Sequence, residues 1–245
     1  MPSSLQPTIR YRARTALALL LAMLPVASYG RVQRGRANLA SSGVLGRPFT
    51  PEAHAPDRAA VRRRLVTQSA GTYIGEMLAE RDSALSRWPD AAAASLTVWI
   101  QPQSDIEGWS AEYVDDVRDA FAQWNHVAPP VHFSFVTDSA DADVHVTFVH
   151  HFDEEISGRT KWARDDDWWI TDGDIILAVY HRAGPILDDD AMHAMAMHEI
   201  GHLIGLDHTR DSTSIMAPRV RVRSLSGADR ATARLLYSLP PGGVR

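Results

Sequence analysis

These 245 residues contain no cysteine. No disulfide can staple the chain, no thiolate can hold a metal, and no thiol can act as a nucleophile. Any clip outside the hydrophobic core must be a metal or an ion pair. Long apolar runs are also missing. A membrane-spanning helix needs about 20 residues, whereas TALALLLAMLPVA, residues 15–27, has only 13. No later stretch is long and apolar enough. There is no internal repeat. Positive charge is scarce outside the N-terminal quarter. Residues 1–64 hold eleven arginines and two acids, a charge of +9, while the rest carries −14. An acidic body excludes nucleic acid as the main partner, because phosphate binding needs clustered Lys and Arg.

With 45% hydrophobic residues, the chain suits one sizeable domain plus appendages. RYRAR, residues 10–14, followed by the short apolar run, reads as an export signal. Val26, Ala27 and Ser28 are small enough for cleavage after Ser28. Residues 1–28 are therefore taken as a signal peptide. The expected product is a soluble monomer, in a periplasm or outside the cell, with no stable membrane insertion.

Residues 29–94 form an N-terminal region and a candidate propeptide. Residues 29–64, rich in Arg, Ala, Ser, Gly and Pro, read as poorly ordered. GTYIGEMLAERDSALSRW, residues 71–88, holds a short helix anchored by Ile74, Met77, Leu78, Leu85 and Trp88. PDAAAAS reads as a linker.

Residues 95–239 have a different character. LTVWIQ, VHFSFVT, DADVHVTFVH, GRTKWA and DGDIILAVY read as strands. SAEYVDDVRDAFAQWN has apolar residues at helical spacing, with Ser110 as N-cap. DDDAMHAMAMHEIGHLIG opens with acids and ends at Gly205, as suits a helix. SGADRATARLLYSL is a last helix capped by Ser226. Mixed strands and helices indicate an α+β fold. Residues 240–245 are a tail.

HEIGHLIGLDH, residues 198–208, carries the chemistry. His198 and His202 lie four apart, so a helix presents both imidazoles on one face. Glu199 is placed to reach a water beside them. Gly205 lets the chain leave the helix sharply and bring back His208. Three neutral imidazoles with one open position describe a catalytic zinc site, whereas a structural zinc is closed by four protein ligands. Zinc lowers the pKa of a bound water to about 7. Glu199 would take its proton and pass it to the leaving amine.

This motif, followed by SIMAP at residues 214–218, resembles the matrixin branch of the metzincin metalloproteases. LTVWIQP, VDDVRDAFAQWN, DADVHVTFV and LSGADRATARLLY resemble that family's first strand, first helix, third strand and closing helix. The likeness covers residues 95–239. It implies a twisted, mostly parallel five-stranded sheet with an antiparallel edge strand, and three helices. It implies a zinc endopeptidase that cleaves extended peptides laid along an edge strand. Gly158, Arg159, Thr160, Lys161 and Trp162 are the candidate edge. Met216 is implied as the floor under the histidines, and Asp229 as the acid supporting that turn. Tyr237 falls where the closing helix ends. With Pro218 two residues past Met216, no tyrosine fifth ligand is expected.

Without cysteine, a cysteine-on-zinc latency switch is impossible. A carboxylate such as Asp82 or Asp90 could mask the zinc instead. His151 and Asp153 have the spacing of half a second zinc site. The aspartates of 165–167, 172–174 and 188–190 suit calcium, or simply solvated loops and a helix start, which is preferred. His132, His145, His150, His181 and His193 are read as surface or satisfied histidines. Trp162, Trp168 and Trp169 flank the cleft or pack under a loop. Residues 219–223, RVRVR, either wall a specificity pocket or form a solvated loop. The rival readings are a self-processing hydrolase, a catalytically silent zinc-bound binding module, and an enzyme held shut by its N-terminal region.

Overall fold

The computed structural model describes residues 57–244, apart from 126, 128 and 183. The signal-peptide reading, and that of residues 29–56, lie outside them. In chain order the elements are α1 (Arg58–Gln68), α2 (Ile74–Glu80), β1 (Ala84–Leu85), α3 (Asp90–Ala93), β2 (Leu96–Ile100), α4 (Glu112–Asn125), β3 (Phe133–Phe135), β4 (Val144–Val149), β5 (Gly158–Arg164), β6 (Ile170–Ala178), α5 (Asp189–Leu203), α6 (Gly227–Tyr237) and β7 (Gly242–Gly243). A short 3-10 turn, Ser139–Asp141, precedes β4.

Side-chain alternation builds the sheet. Leu96, Val98 and Ile100 of β2 and Val144, Val146 and Phe148 of β4 are buried, with half-exposed residues between them. Period two is what a strand with one covered face requires. Five strands align in the order β3-β2-β4-β6-β5. Neighbours run parallel until β5, which pairs antiparallel with β6 and forms the edge. The mostly parallel sheet with one antiparallel edge is thus as the resemblance implies.

Helices α4 and α5 pack against each other. Tyr113, Val117, Ala120, Phe121 and Trp124 line the buried stripe of α4. Full burial of Phe121 alone stabilises by roughly 1.5–3 kcal/mol. Trp124 also donates its indole N–H to Met197 O at 3.0 Å. Helix α5 is buried nearly all round. Its start is set by Asp188, whose carboxylate accepts from Ala191 N at 2.8 Å. Asp188 is thus the N-cap, with Asp189 and Asp190 in the first turn of the helix. Asp165 likewise closes its own loop, accepting from Asp167 N and Trp169 N at 3.0 and 2.8 Å.

Several boundaries differ from expectation. Residues 58–64, read as poorly ordered, belong to α1. Asp57 caps that helix, and three of its arginines hold the C-terminal carbonyls. Arg58, Arg62 and Arg64 donate to Pro241 O, Val244 O and Ser238 O at 3.2, 3.2 and 2.6 Å. PDAAAAS contains α3, because Ala93 is a core residue. Tail residues 242–243 pair with β1. Three helices, α1, α2 and α3, therefore precede α4, α5 and α6. Tyr73, Ile74, Met77, Leu85 and Trp88 share one hydrophobic cluster with the sheet and α5.

Gly205 ends the line of α5 with φ +98. A Cβ there would lie inside 3.0 Å of the Ser86 carbonyl oxygen. Gly205→Ala is expected to cost at least the ~1–2 kcal/mol of a left-handed non-glycine residue, plus the clash. Urea unfolding reads it; an unchanged midpoint would contradict the tight apposition.

Candidate metal and catalytic site

Helix α5 brings His198 and His202 to one face, and the turn after Gly205 returns His208 to them. Their Nε2 atoms lie 3.1 Å (His198–His202), 3.2 Å (His202–His208) and 3.3 Å (His198–His208) apart. A tetrahedral ion with nitrogen ligands at about 2.0–2.1 Å needs ligand spacings of about 3.3 Å, so the triangle fits zinc. The outer nitrogens are anchored. His198 Nδ1 meets Ile215 O at 2.7 Å, and His202 Nδ1 meets Leu206 O at 3.1 Å. A carbonyl can only accept, so Nδ1 carries the proton and Nε2 offers its lone pair. Burial pushes His198 down to about 4 and His202 to about 3. Both rings therefore stay neutral, as metal ligands must. Among the described residues this is the one three-member group of His, Asp and Glu that converges on a point.

Glu199 is buried beside them. Thr160 of β5 donates its hydroxyl both to Glu199 Oε2, at 2.7 Å, and to Glu199 O, at 2.8 Å. Burial raises the Glu199 carboxyl to about 7, against the lowering effect of Thr160. Gly158 leaves room for this carboxylate; a Cβ there would lie inside 3.0 Å of Glu199 Oε1.

Met216 is fully buried. Its sulfur lies against Gly201, where a Cβ would fall inside 3.0 Å. The thioether thus packs against α5 at Gly201. Asp229, buried at the start of α6, ties down this turn. Its carboxylate accepts from the Ser214 hydroxyl, from Ile215 N at 3.1 Å and from Ser226 N at 2.7 Å. Tyr73 adds a fourth donor at 3.2 Å. Burial, with the nearby Asp229 charge, pushes the Tyr73 phenol up, so it remains a donor.

A cleft of about 540 Å³ opens over the three histidines and Glu199. Gly158, Arg159 and Thr160 wall one side, and Pro218, Arg219 and Val220 lie on another. Lys161 and Trp162 belong to the same strand but are not among its lining residues. Of RVRVR, Val220 and Val222 pack against the core.

Other expectations resolve away from the cleft. Asp90 is held by Arg87, and neither Asp82 nor Asp90 is among the lining residues; nor is any residue of 57–94. His151 Nδ1 faces His150 Nδ1 at 2.8 Å, and neither His151 nor Asp153 is in the metal-type cluster. His145 contacts Ser139 O at 2.9 Å; His181, by contrast, does line the cleft, where it contacts Ser157 Oγ at 2.7 Å. The three tryptophans lie under cations: Trp162 under Arg81, Trp168 under Arg164 and Trp169 under Arg87. The parts missed by sequence reasoning are Tyr73, Ser214, the Thr160 hydroxyl on Glu199, and the two anchoring carbonyls. Tyr73 and Thr160 come from distant segments, so no local pattern could have revealed them.

Residues 149–238 match the family Peptidase_M10, Matrixin. Among known proteins the chain is similar to Metalloendoproteinase 1 of Glycine max, 25% identical over 178 residues, covering 64% of this chain and 54% of the relative. Matrix metalloproteinase-C of Caenorhabditis elegans is 30% identical over 137 residues, 46% of this chain and 22% of the relative. Metalloendoproteinase 1-MMP of Arabidopsis thaliana is 30% identical over 149 residues, 53% and 38%. The chain spans about half the length of the first of these and less of the other two. Sheet order, histidine triangle and family match agree in their likeness: over residues 149–238 this chain is similar to the matrixin family.

Proposed function

We propose that the protein is an exported zinc endopeptidase, with zinc on His198, His202 and His208 and Glu199 as general base and acid. The observation that carries this is the convergence of three histidine Nε2 atoms, two of them on rings anchored through Nδ1, beside a buried carboxylate. When bound there, zinc would supply a Lewis acid for the scissile carbonyl and the attacking water. The chain supplies the rest. Glu199 removes a proton from the water and delivers it to the leaving amine nitrogen, so the carboxyl ends as it began. Thr160 holds Oε2, which leaves Oε1 for this transfer. Edge strand β5, residues 158–162, pairs an extended peptide through its outer backbone groups. Met216 and Asp229 keep the floor and its turn in place. One catalytic zinc is the proposed complement. The protein acts as a monomer. Export rests on residues 1–28; among the described residues no helix is long and apolar enough to cross a membrane.

The test uses the full chain loaded with zinc and casein as substrate. Cleavage that stops on chelation and returns with zinc is the expected result. One bound zinc by metal analysis with no cleavage of casein would favour the silent binding module. Residues 57–94 line no part of the cleft, which gives the held-shut reading no support from them.

A further inference from the structure

We infer that residues 73–88 brace the turn that carries His208, and that Arg81 is its positioning residue. This rests on the zinc reading above. His208 does not belong to α5. It is reached through residues 204–207, whose Ile204, Gly205 and Leu206 N–H groups bond back to α5 at Ile200 O, His202 O and Gly201 O. Tyr237 of α6 donates to Ile204 O at 3.1 Å, and further contacts come from residues 76–88. Trp88 Nε1 donates to Leu203 O at 2.9 Å, at the last residue of the helix. The Ser86 carbonyl abuts Gly205. Glu76 Oε2 accepts from Arg210 N at 2.8 Å, two residues past His208.

Arg81 sits at the centre. Its Nε contacts Asp207 Oδ2, and Nη2 lies 3.4 Å from Leu206 O. Asp207 Oδ1 accepts from the His208 backbone N at 2.8 Å, and Leu206 O is the anchor of His202 Nδ1 at 3.1 Å. One guanidinium thus touches the neighbours of two of the three ligands. Arg81 and Asp207 side chains are only 19% and 18% exposed, so solvent screens the pair less than a surface pair. The same guanidinium lies over Trp162 of β5, 5.3 Å from the ring centroid. Partners of this kind set ligand orientation, and their loss lowers metal affinity by about 10–100-fold.

The experiment measures zinc Kd on the full chain by competition with a chromogenic chelator. Metal-free unfolding in urea is measured beside it. Arg81→Met keeps an apolar stem over Trp162 but removes the fork. It is expected to weaken zinc by about tenfold or more. Arg81→Lys restores the charge without the planar fork and is expected to recover part of the loss. Asp207→Asn alone weakens zinc similarly, and adds little in the Arg81→Met background. A merely structural Arg81 would lower the metal-free midpoint and leave the Kd of the folded protein unchanged. A Kd equal to wild type in Arg81→Met overturns the inference. If that variant does not fold, Asp207→Asn decides on the same criterion. Wild-type protein that binds no zinc overturns the zinc reading and this inference with it. Wild-type protein that binds zinc and cleaves casein, with variants binding equally well, overturns this inference alone.

Discussion

Glu199→Gln is expected to reduce kcat/KM on a protein substrate by about 10²–10⁴-fold, the usual contribution of a positioned proton-transfer group. The amide has nearly the shape of the carboxylate. Its carbonyl oxygen can still accept from Thr160, which contacts Glu199 Oε2 at 2.7 Å. Zinc stoichiometry should not change, because Glu199 lies outside the histidine triangle. What the variant loses is an oxygen able to take a proton. In the metal-free protein burial raises the Glu199 carboxyl to about 7; a dication nearby favours its ionised form. The residue is thus a base when the metal is present and close enough to neutral pH to give the proton back. The measurement is steady-state cleavage, with zinc content determined on the same sample. A zinc-loaded variant that cleaves at the wild-type rate would remove Glu199 from the chemistry and leave the histidines as a binding site only.

Asp229→Ala is expected to cost about 3–5 kcal/mol of stability, toward the upper end for a single substitution. The side chain is fully buried. Four donors converge on it: the Ser214 hydroxyl, Ile215 N, Ser226 N and the Tyr73 hydroxyl. Deleting the carboxylate leaves them in a cavity without an acceptor, and each buried unpaired polar group costs about 1–3 kcal/mol. Relaxation and entering water recover some of the sum. Asp229→Asn should fall between, since its NH₂ would face donors on one side. The turn it secures includes Ile215, whose carbonyl anchors His198 at 2.7 Å, so zinc binding should weaken too. Urea unfolding of the metal-free protein measures the first effect without the second. A loss below about 1 kcal/mol would mean that these donors find other partners.

The two expectations depend on different kinds of information. Glu199 is adjacent to His198 in the chain, and HExxH on a helix places them by backbone geometry alone. The same local logic gave His202 and the need for a glycine after the helix. Strands β2 and β4 were legible from alternation, and α4 from its apolar stripe. Asp229 entered only through family likeness. Its fourth donor, Tyr73, lies 156 residues away in sequence, and nothing in the residues around it announces the contact. Residues 58–64 were misread for a related reason. The composition between 29 and 64 suggested poor order, yet α1 holds the C-terminal carbonyls through arginines. Charge reads as solvated when the partner is a distant backbone group.

What could be settled from residues alone was short-range: which imidazoles share a face, which residue sits beside them, where the helix must stop, and that no thiol takes part. These follow from helix and strand periods, which any neighbouring residues obey. What the folded chain decided was long-range. It set the approach of His208 to the pair on α5, the Thr160 hydroxyl on Glu199, the four donors on Asp229, and the packing of residues 73–88 behind the site. Such contacts join segments far apart in sequence, and they are selected by the packing of one common core rather than by any local pattern.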